Sequence, residues 1–186
     1  MMVLSQEAMW PIMDGFTWSY AFRAMYATPL EPGQIAAGSA LWQATRGLLT
    51  SAAVAVALLL FDETRTWGLL PATAFGALTG LAVSLPITAW SASREAGDQS
   101  FPAIMRFVIV PMFLFAGAFY PISELPGWLQ PVAHVTPVWH GVELCRGAVL
   151  GTLGVADVMV HGAVLAAFIT AGYVAARRIY ARRLAA

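Results

Sequence analysis

Residues 35–61 (IAAGSALWQATRGLLTSAAVAVALLLF) and 67–90 form two apolar runs, and nothing else in the chain limits its fold so strongly. Each is long enough to cross a bilayer, since about 20 residues at ~1.5 Å rise cover a hydrocarbon core ~30 Å thick. Residues 103–120 and 153–176 have the same character, and the polar stretches between runs, such as FDETRT and SASREAGDQS, are short. Only 11% of residues are charged and 59% are hydrophobic. A soluble domain carries about 25% charged residues, so this chain has too little charge to coat a soluble surface. The expected fold class is an all-α integral membrane domain, one unit over 1–186, with four full transmembrane helices and a partial N-terminal one. Residues 1–21 are apolar but interrupted by Glu7, Pro11, Asp14 and Gly15, and so are too broken for a complete span. Residues 22–34 form a polar link. Residues 121–151 are apolar but cut by Pro121, Pro126, Pro131 and Pro137, so no continuous spanning helix can run through them. Residues 177–186 are a basic tail.

Four spans return both ends to one side. That side carries Arg23, Arg94, Arg177, Arg178, Arg182 and Arg183, against Arg65 and Arg146 on the other. The positive-inside rule then predicts that both ends are cytoplasmic and that 121–151 faces outward. Arg46 and Arg106 fall inside runs, toward their cytoplasmic ends, where snorkelling reduces the cost of the charge.

Local signals refine two regions. Thr136 suits an N-cap and Pro137 the first helical position. Val138, Val142, Cys145 and Val149 then make an apolar stripe, and His140, Glu143 and Arg146 a polar one along which they pair. A similar short helix follows Pro126, giving an amphipathic pair that lies on or dips into the outer leaflet. In the run 67–90, Ala72, Gly76, Gly80 and Ser84 repeat every four residues, a stripe against which another helix can pack closely, and Pro86 predicts a kink.

Several chemistries are excluded or weak. Formal net charge is zero, which argues against a nucleic-acid partner. The chain has no Lys, so it holds no phosphate-binding G-x-x-x-x-G-K-[ST] loop, and it has neither a G-x-S-x-G elbow nor an H-E-x-x-H pair. His134, His140 and Glu143 are the metal-like group, but a zinc site needs three or four ligands in a geometry this spacing does not establish. Cys145 is the lone cysteine, so no intrachain disulfide forms. The residues thus point to no catalytic, cofactor or metal site.

The run PMFLFAGAFYPISELPGWLQPVAHVTPVWHGVELCRG resembles the C-terminal signature of ABC-2 type permeases, close to the drug-resistance and nodulation-factor exporter branch. The matching positions are Pro111, Phe113, Gly117, Phe119, Tyr120 and Pro121, then Pro137, Arg146 and Gly147. YAFRAMYATPLEPGQIAAGSALW is similar to that family's cytoplasmic link, with its A-T-P-L core at Ala27 to Leu30. The family has six spans, so the resemblance implies an N-terminally short member in which residues 1–21 end the second span. It further implies the membrane subunit of an ATP-driven exporter in the bacterial plasma (inner) membrane, moving an amphipathic or lipid-like cargo. A second permease copy would complete a homo- or heterodimer in the bilayer. ATP and Mg would sit on a separate ABC ATP-binding subunit, and this chain would be no enzyme. By the same resemblance Arg23, Ala27, Thr28, Pro29, Leu30 and Glu31 couple to the ATPase. Gly117, Phe119, Tyr120, Pro121, Pro137, His140, Glu143 and Arg146 shape the outer gate, while Gly76, Gly80 and Ser84 pack helices. The competing expectation is a non-transporting membrane scaffold or assembly subunit.

Overall fold

The computed structural model describes residues 1–95, 98–119 and 121–185, and among these the regular structure is helical, with no strand. In chain order the helices are α1 (Met2–Thr17), α2 (Ala21–Tyr26), α3 (Pro32–Leu58), α4 (Leu69–Ala92), α5 (Ser100–Ile104), α6 (Val110–Leu114), α7 (Gln130–Val135), α8 (Pro137–Leu150) and α9 (Val155–Ala185). Helix α4 is the axis of the bundle, with α1, α3, α8 and α9 packed around it. Among the described residues two helices, α4 and α9, are long and apolar enough to cross a membrane, against the four full spans expected from the sequence.

The apolar start is one helix, not a broken stretch. Pro11 lies inside α1, where it removes a single backbone donor, and the helix buries Leu4, Ala8, Met9, Ile12, Met13 and Phe16 at helical spacing. The run expected over 103–120 is shorter than the sequence suggests. A π-helical turn (Met105–Ile109) joins α5 to α6, and the rod stops at Leu114. Its three five-residue pieces rise about 22 Å in all, short of a ~30 Å core. Pro111 accounts for the wide turn: its ring cannot accommodate the carbonyl four residues back, and the turn just before it takes the looser spacing. At the other end of the chain the basic tail is not a separate tail, because α9 runs helically through it to Ala185.

Helix contacts rest on small residues. A Cβ at Gly80 would lie 3.0 Å from Leu4 Cδ2, and one at Gly76 3.0 Å from Ser51 Oγ, so this side of α4 receives α1 and α3. Ser84, on the same stripe, is fully buried. Pro86 lies inside α4, which continues to Ala92, and its ring forms a packing surface: a Cβ at Gly172 of α9 would come within 2.6 Å of Pro86 Cδ.

The bundle has two distinct ends. At one, Ile12, Phe16, Ile35, Ala36, Ala92, Tyr180 and Leu184 form a cluster on which Phe22 packs. Arg183 Nη1 donates to the carbonyl of Ala92 at 2.6 Å, so it caps the C-terminus of α4, where the helix dipole favours a cation. Arg177 approaches Gly33 at the same end. At the opposite end the loop after α3 meets α8, with Thr66 Oγ1 donating to the carbonyl of Val149 at 3.3 Å.

Candidate functional site

The link at the arginine-rich end is built from a short helix and a turn. Tyr20 adopts a left-handed φ of 52°, which redirects the chain between α1 and α2. Phe22 anchors α2: its ring lies 4.8 Å from Phe16 and 5.3 Å from Tyr180, in space that Gly15 leaves open. Thr28 Oγ1 donates to the carbonyl of Met25 at 2.6 Å and closes the turn. Glu31 then occupies the N-cap of α3, with Pro32 at the first position, and its backbone N–H donates to Gln34 Oε1 at 2.9 Å. Every residue from Arg23 to Glu31 is exposed. The candidates Arg23, Ala27, Thr28, Pro29, Leu30 and Glu31 therefore lie on one continuous exposed strip whose anchor is Phe22, a residue the sequence patterns do not single out.

Arg46 is paired within the protein. Its Nη2 donates to Glu7 of α1 at 2.7 Å, which differs from the lipid-facing snorkel expected of it. Glu7 and Arg46 are far apart in sequence, so only the α1–α3 packing brings them together.

The segment at the opposite end follows its local signals closely. Thr136 caps α8, accepting from the Trp139 backbone N–H at 3.4 Å, with Pro137 at the first position; a turn at Pro126 leads into α7. Gly117 has φ 76°, a conformation glycine adopts at no steric cost, and its carbonyl accepts from Arg146. Arg146 also pairs with Glu143 at 2.8 Å, so one guanidinium ties the end of the α6 rod to α8. Phe119 is exposed, with its ring edge-on to Phe113 at 5.1 Å, and Pro121 opens a 3-10 turn. Tyr120 lies outside the described residues.

Two expectations for α8 need correction. The buried face is Val138, Gly141, Leu144 and Ala148 rather than the Val138, Val142, Cys145, Val149 stripe. Close approach decides this. A Cβ at Gly141 would overlap Thr79 of α4, and the carbonyl of Ala148 abuts Gly68, so these small residues let α8 close on α4 while Leu144 and Val138 pack on Ala82 and Val83. The second correction concerns His140, which does not join Glu143 and Arg146. It is 7% exposed, and its Nδ1 lies 2.7 Å from Nδ1 of His161 on α9. Trp139 sits against both imidazoles and against His134. His161 lies within an apolar run, and no spacing signal links it to α8.

Two imidazoles joined Nδ1 to Nδ1 share one proton, so one donates and the other accepts. Burial, and then the neighbouring His161, hold His140 below its ordinary value of 6.5. The folded chain thus binds fewer protons than the unfolded chain below pH 6.5. The stability this neutral imidazole contributes is complete above that value and falls as the pH drops through the window beneath it. Thermal unfolding should therefore occur at lower temperature at pH about 5 than at pH about 7.5, and His140→Gln should reduce that difference. His134, Glu143, Arg146 and Asp157 also border this contact, so the comparison with His140→Gln isolates the contribution of the pair.

The geometry has an exposed link at one end, a proline-broken helix pair at the other, and small-residue packing between them. Residues 7–150 match the family model described as ABC-2 type transporter. The chain belongs to the ABC-2 type transporter family. Among curated ABC-2 relatives, nodulation protein J of Rhizobium leguminosarum bv. viciae is 30% identical over 88% of this chain, and that of R. leguminosarum bv. trifolii 32% over 88%. Nodulation protein J of Rhizobium meliloti is 31% identical over 70% of the chain. The chain spans 62% of the length of the first two and 50% of the third. No solved structure matches it. As an ABC-2 family member it is a membrane protein, and the matched region includes both the link and the broken helix pair.

Proposed function

We propose that the chain is the membrane-spanning permease subunit of an ATP-driven exporter for an amphipathic or lipid-like molecule. The exposed strip from Arg23 to Glu31 carries this reading. A rigid link, anchored by Phe22 in the core and exposed along its length, is what a permease needs to receive a push from a separate ATPase. The six arginines near that end support a cytoplasmic assignment for it and for the C-terminus of α9, whereas Met1 lies in the other half, against Val83 and Val138, so the two ends do not share one side as the sequence leads one to expect. The α7–α8 pair would then face outward. In that half a cavity of about 570 Å³ is lined by Phe113, Val138, Val142, Cys145 and Val149, with Arg146 also in its wall. An apolar wall whose guanidinium is already paired with Glu143 suits an apolar or amphipathic cargo better than an ion. A second permease copy would complete the pathway.

Copurification tests the reading. The intact protein, extracted in mild detergent, should bring down an ABC ATP-binding subunit in stoichiometric amount. Recovery of the protein alone, or with other membrane proteins only, would favour a scaffold role instead.

A further inference from the structure

The imidazole pair between α8 and α9 has a chemistry that the transport reading does not use. We infer that it is a proton-operated latch, which holds α8 to α9 while the pair carries at most one added proton and releases it when both rings are charged. The two Nδ1 atoms lie 2.7 Å apart, one on each helix, and His140 is 7% exposed. Beside them is a polar cavity of about 180 Å³, lined by Glu143, Arg146, Thr152, Asp157 and His161. It is roomy and polar enough for water, and so gives the pair a route for protons. The connection between the helices is short, and Gly151 ends α8 in a left-handed φ of 70°, so α8 can swing about this turn.

Proton counting sets the order of events. In the neutral pair one ring donates its Nδ1–H to the lone pair of the other. A first added proton goes to Nε2 of the donating ring and leaves that bond in place, now charge-assisted. A second can only take the accepting lone pair. Two N–H groups and two charges then face each other, on rings whose centroids are 4.9 Å apart, and the contact becomes repulsive. Burial, then His161, hold His140 below its ordinary value of 6.5, with the His134 backbone offsetting part of this, so release belongs to the acid side of that value. Few other charges face the pair. Glu143 and Arg146 of α8 pair with each other, and Asp157 of α9 accepts the Gly154 backbone N–H at 3.1 Å. His134 of α7 lies against Trp139, and a charge on it would add to the repulsion. Helix α4 brings no titratable side chain, Cys145 turns to the carbonyl of Ala72, Met1 meets α8 at Val138, and Glu124 is exposed. Helix α8 also supplies Val138, Val142, Cys145 and Val149 to the cavity of about 570 Å³, so its release loosens one wall of that cavity. Only this last consequence rests on the permease reading; the latch itself does not.

Hydrogen–deuterium exchange of the purified protein in lipid nanodiscs reads the latch, with rates corrected for the pH dependence of an unprotected amide. As the pH falls from about 6 to about 5, the amides of residues 138–150 should open about tenfold more often per pH unit, the slope of a one-proton release. Residues 73–85 of α4 should not change. His140→Gln should flatten the slope, because a glutamine carbonyl accepts from a charged His161 and no second charge drives the helices apart. His161→Gln serves the same purpose if the first variant fails to fold. A flat profile in the wild type would overturn the inference, and so would a slope that survives in a folded glutamine variant. An equal rise throughout α4 would also overturn it, because that reports loss of the whole bundle rather than release of α8. No ATPase or cargo enters the measurement, so failure here is distinct from failure of copurification.

Discussion

Gly172→Leu should abolish the folded bundle. A Cβ at this position falls 2.6 Å from both Cδ and N of Pro86 and 2.8 Å from the carbonyl carbon of Leu85. Those atoms belong to a proline ring and to backbone, so no side-chain rotation relieves the overlap and α9 would have to leave α4. Because α4 is the axis on which the other long helices pack, the cost of separation approaches the whole stability of a domain, about 5–15 kcal/mol. Size-exclusion profiles and thermal unfolding in detergent would show it as aggregation or loss of a cooperative transition. Gly80→Leu is the informative contrast. Its added carbon meets only Leu4 Cδ2, the far end of a flexible side chain, so overpacking there should cost about 1–3 kcal/mol and lower the unfolding temperature without abolishing the fold. Equal behaviour of the two variants would show that the proline–glycine contact is not a keystone of the bundle.

On the permease reading proposed above, Pro29→Gly and Leu30→Ser should leave the complex with an ATPase assembled yet raise the ATP consumed per molecule exported about tenfold, within the ~5–150-fold span of ordinary allosteric coupling. Both residues are exposed, and neither belongs to the cluster that anchors α2, so the core around Phe16, Phe22 and Tyr180 stays intact. What changes is stiffness: proline restricts the turn between α2 and α3, and glycine releases it. Reconstituted vesicles give both readouts, ATPase rate and export rate. Loss of complex formation would make the strip structural, and an unchanged ratio would remove it from the coupling path.

Much of this protein is local, and the local parts are legible. Thr136 and Pro137 announce the start of α8, and Glu31 and Pro32 the start of α3, because capping depends on residues a few positions apart. The link stands out as a proline- and glycine-marked polar interval between apolar runs. Patterning misled where apolarity is everywhere. In α8 the bulky valines look like the buried face, yet Gly141 and Ala148 win that role because α4 approaches closely enough to exclude a larger side chain. The run 103–120 reads as one span, yet the chain widens into a π-helical turn before Pro111 and leaves the helix after Leu114.

Taken alone, the order of residues determined that this is a helical membrane protein with an exposed link near its start and a proline-broken helix pair before its last helix. Apolar run length, proline positions and arginine bias act along the chain, so they survive without coordinates. The tertiary structure decided which distant residues meet: Glu7 with Arg46, His140 with His161, Gly172 with Pro86, and Gln43 with Thr88. None of these pairings leaves a periodic trace. In a chain this apolar, partner choice is set by how closely helix backbones approach, and that depends on the small residues of two helices at once.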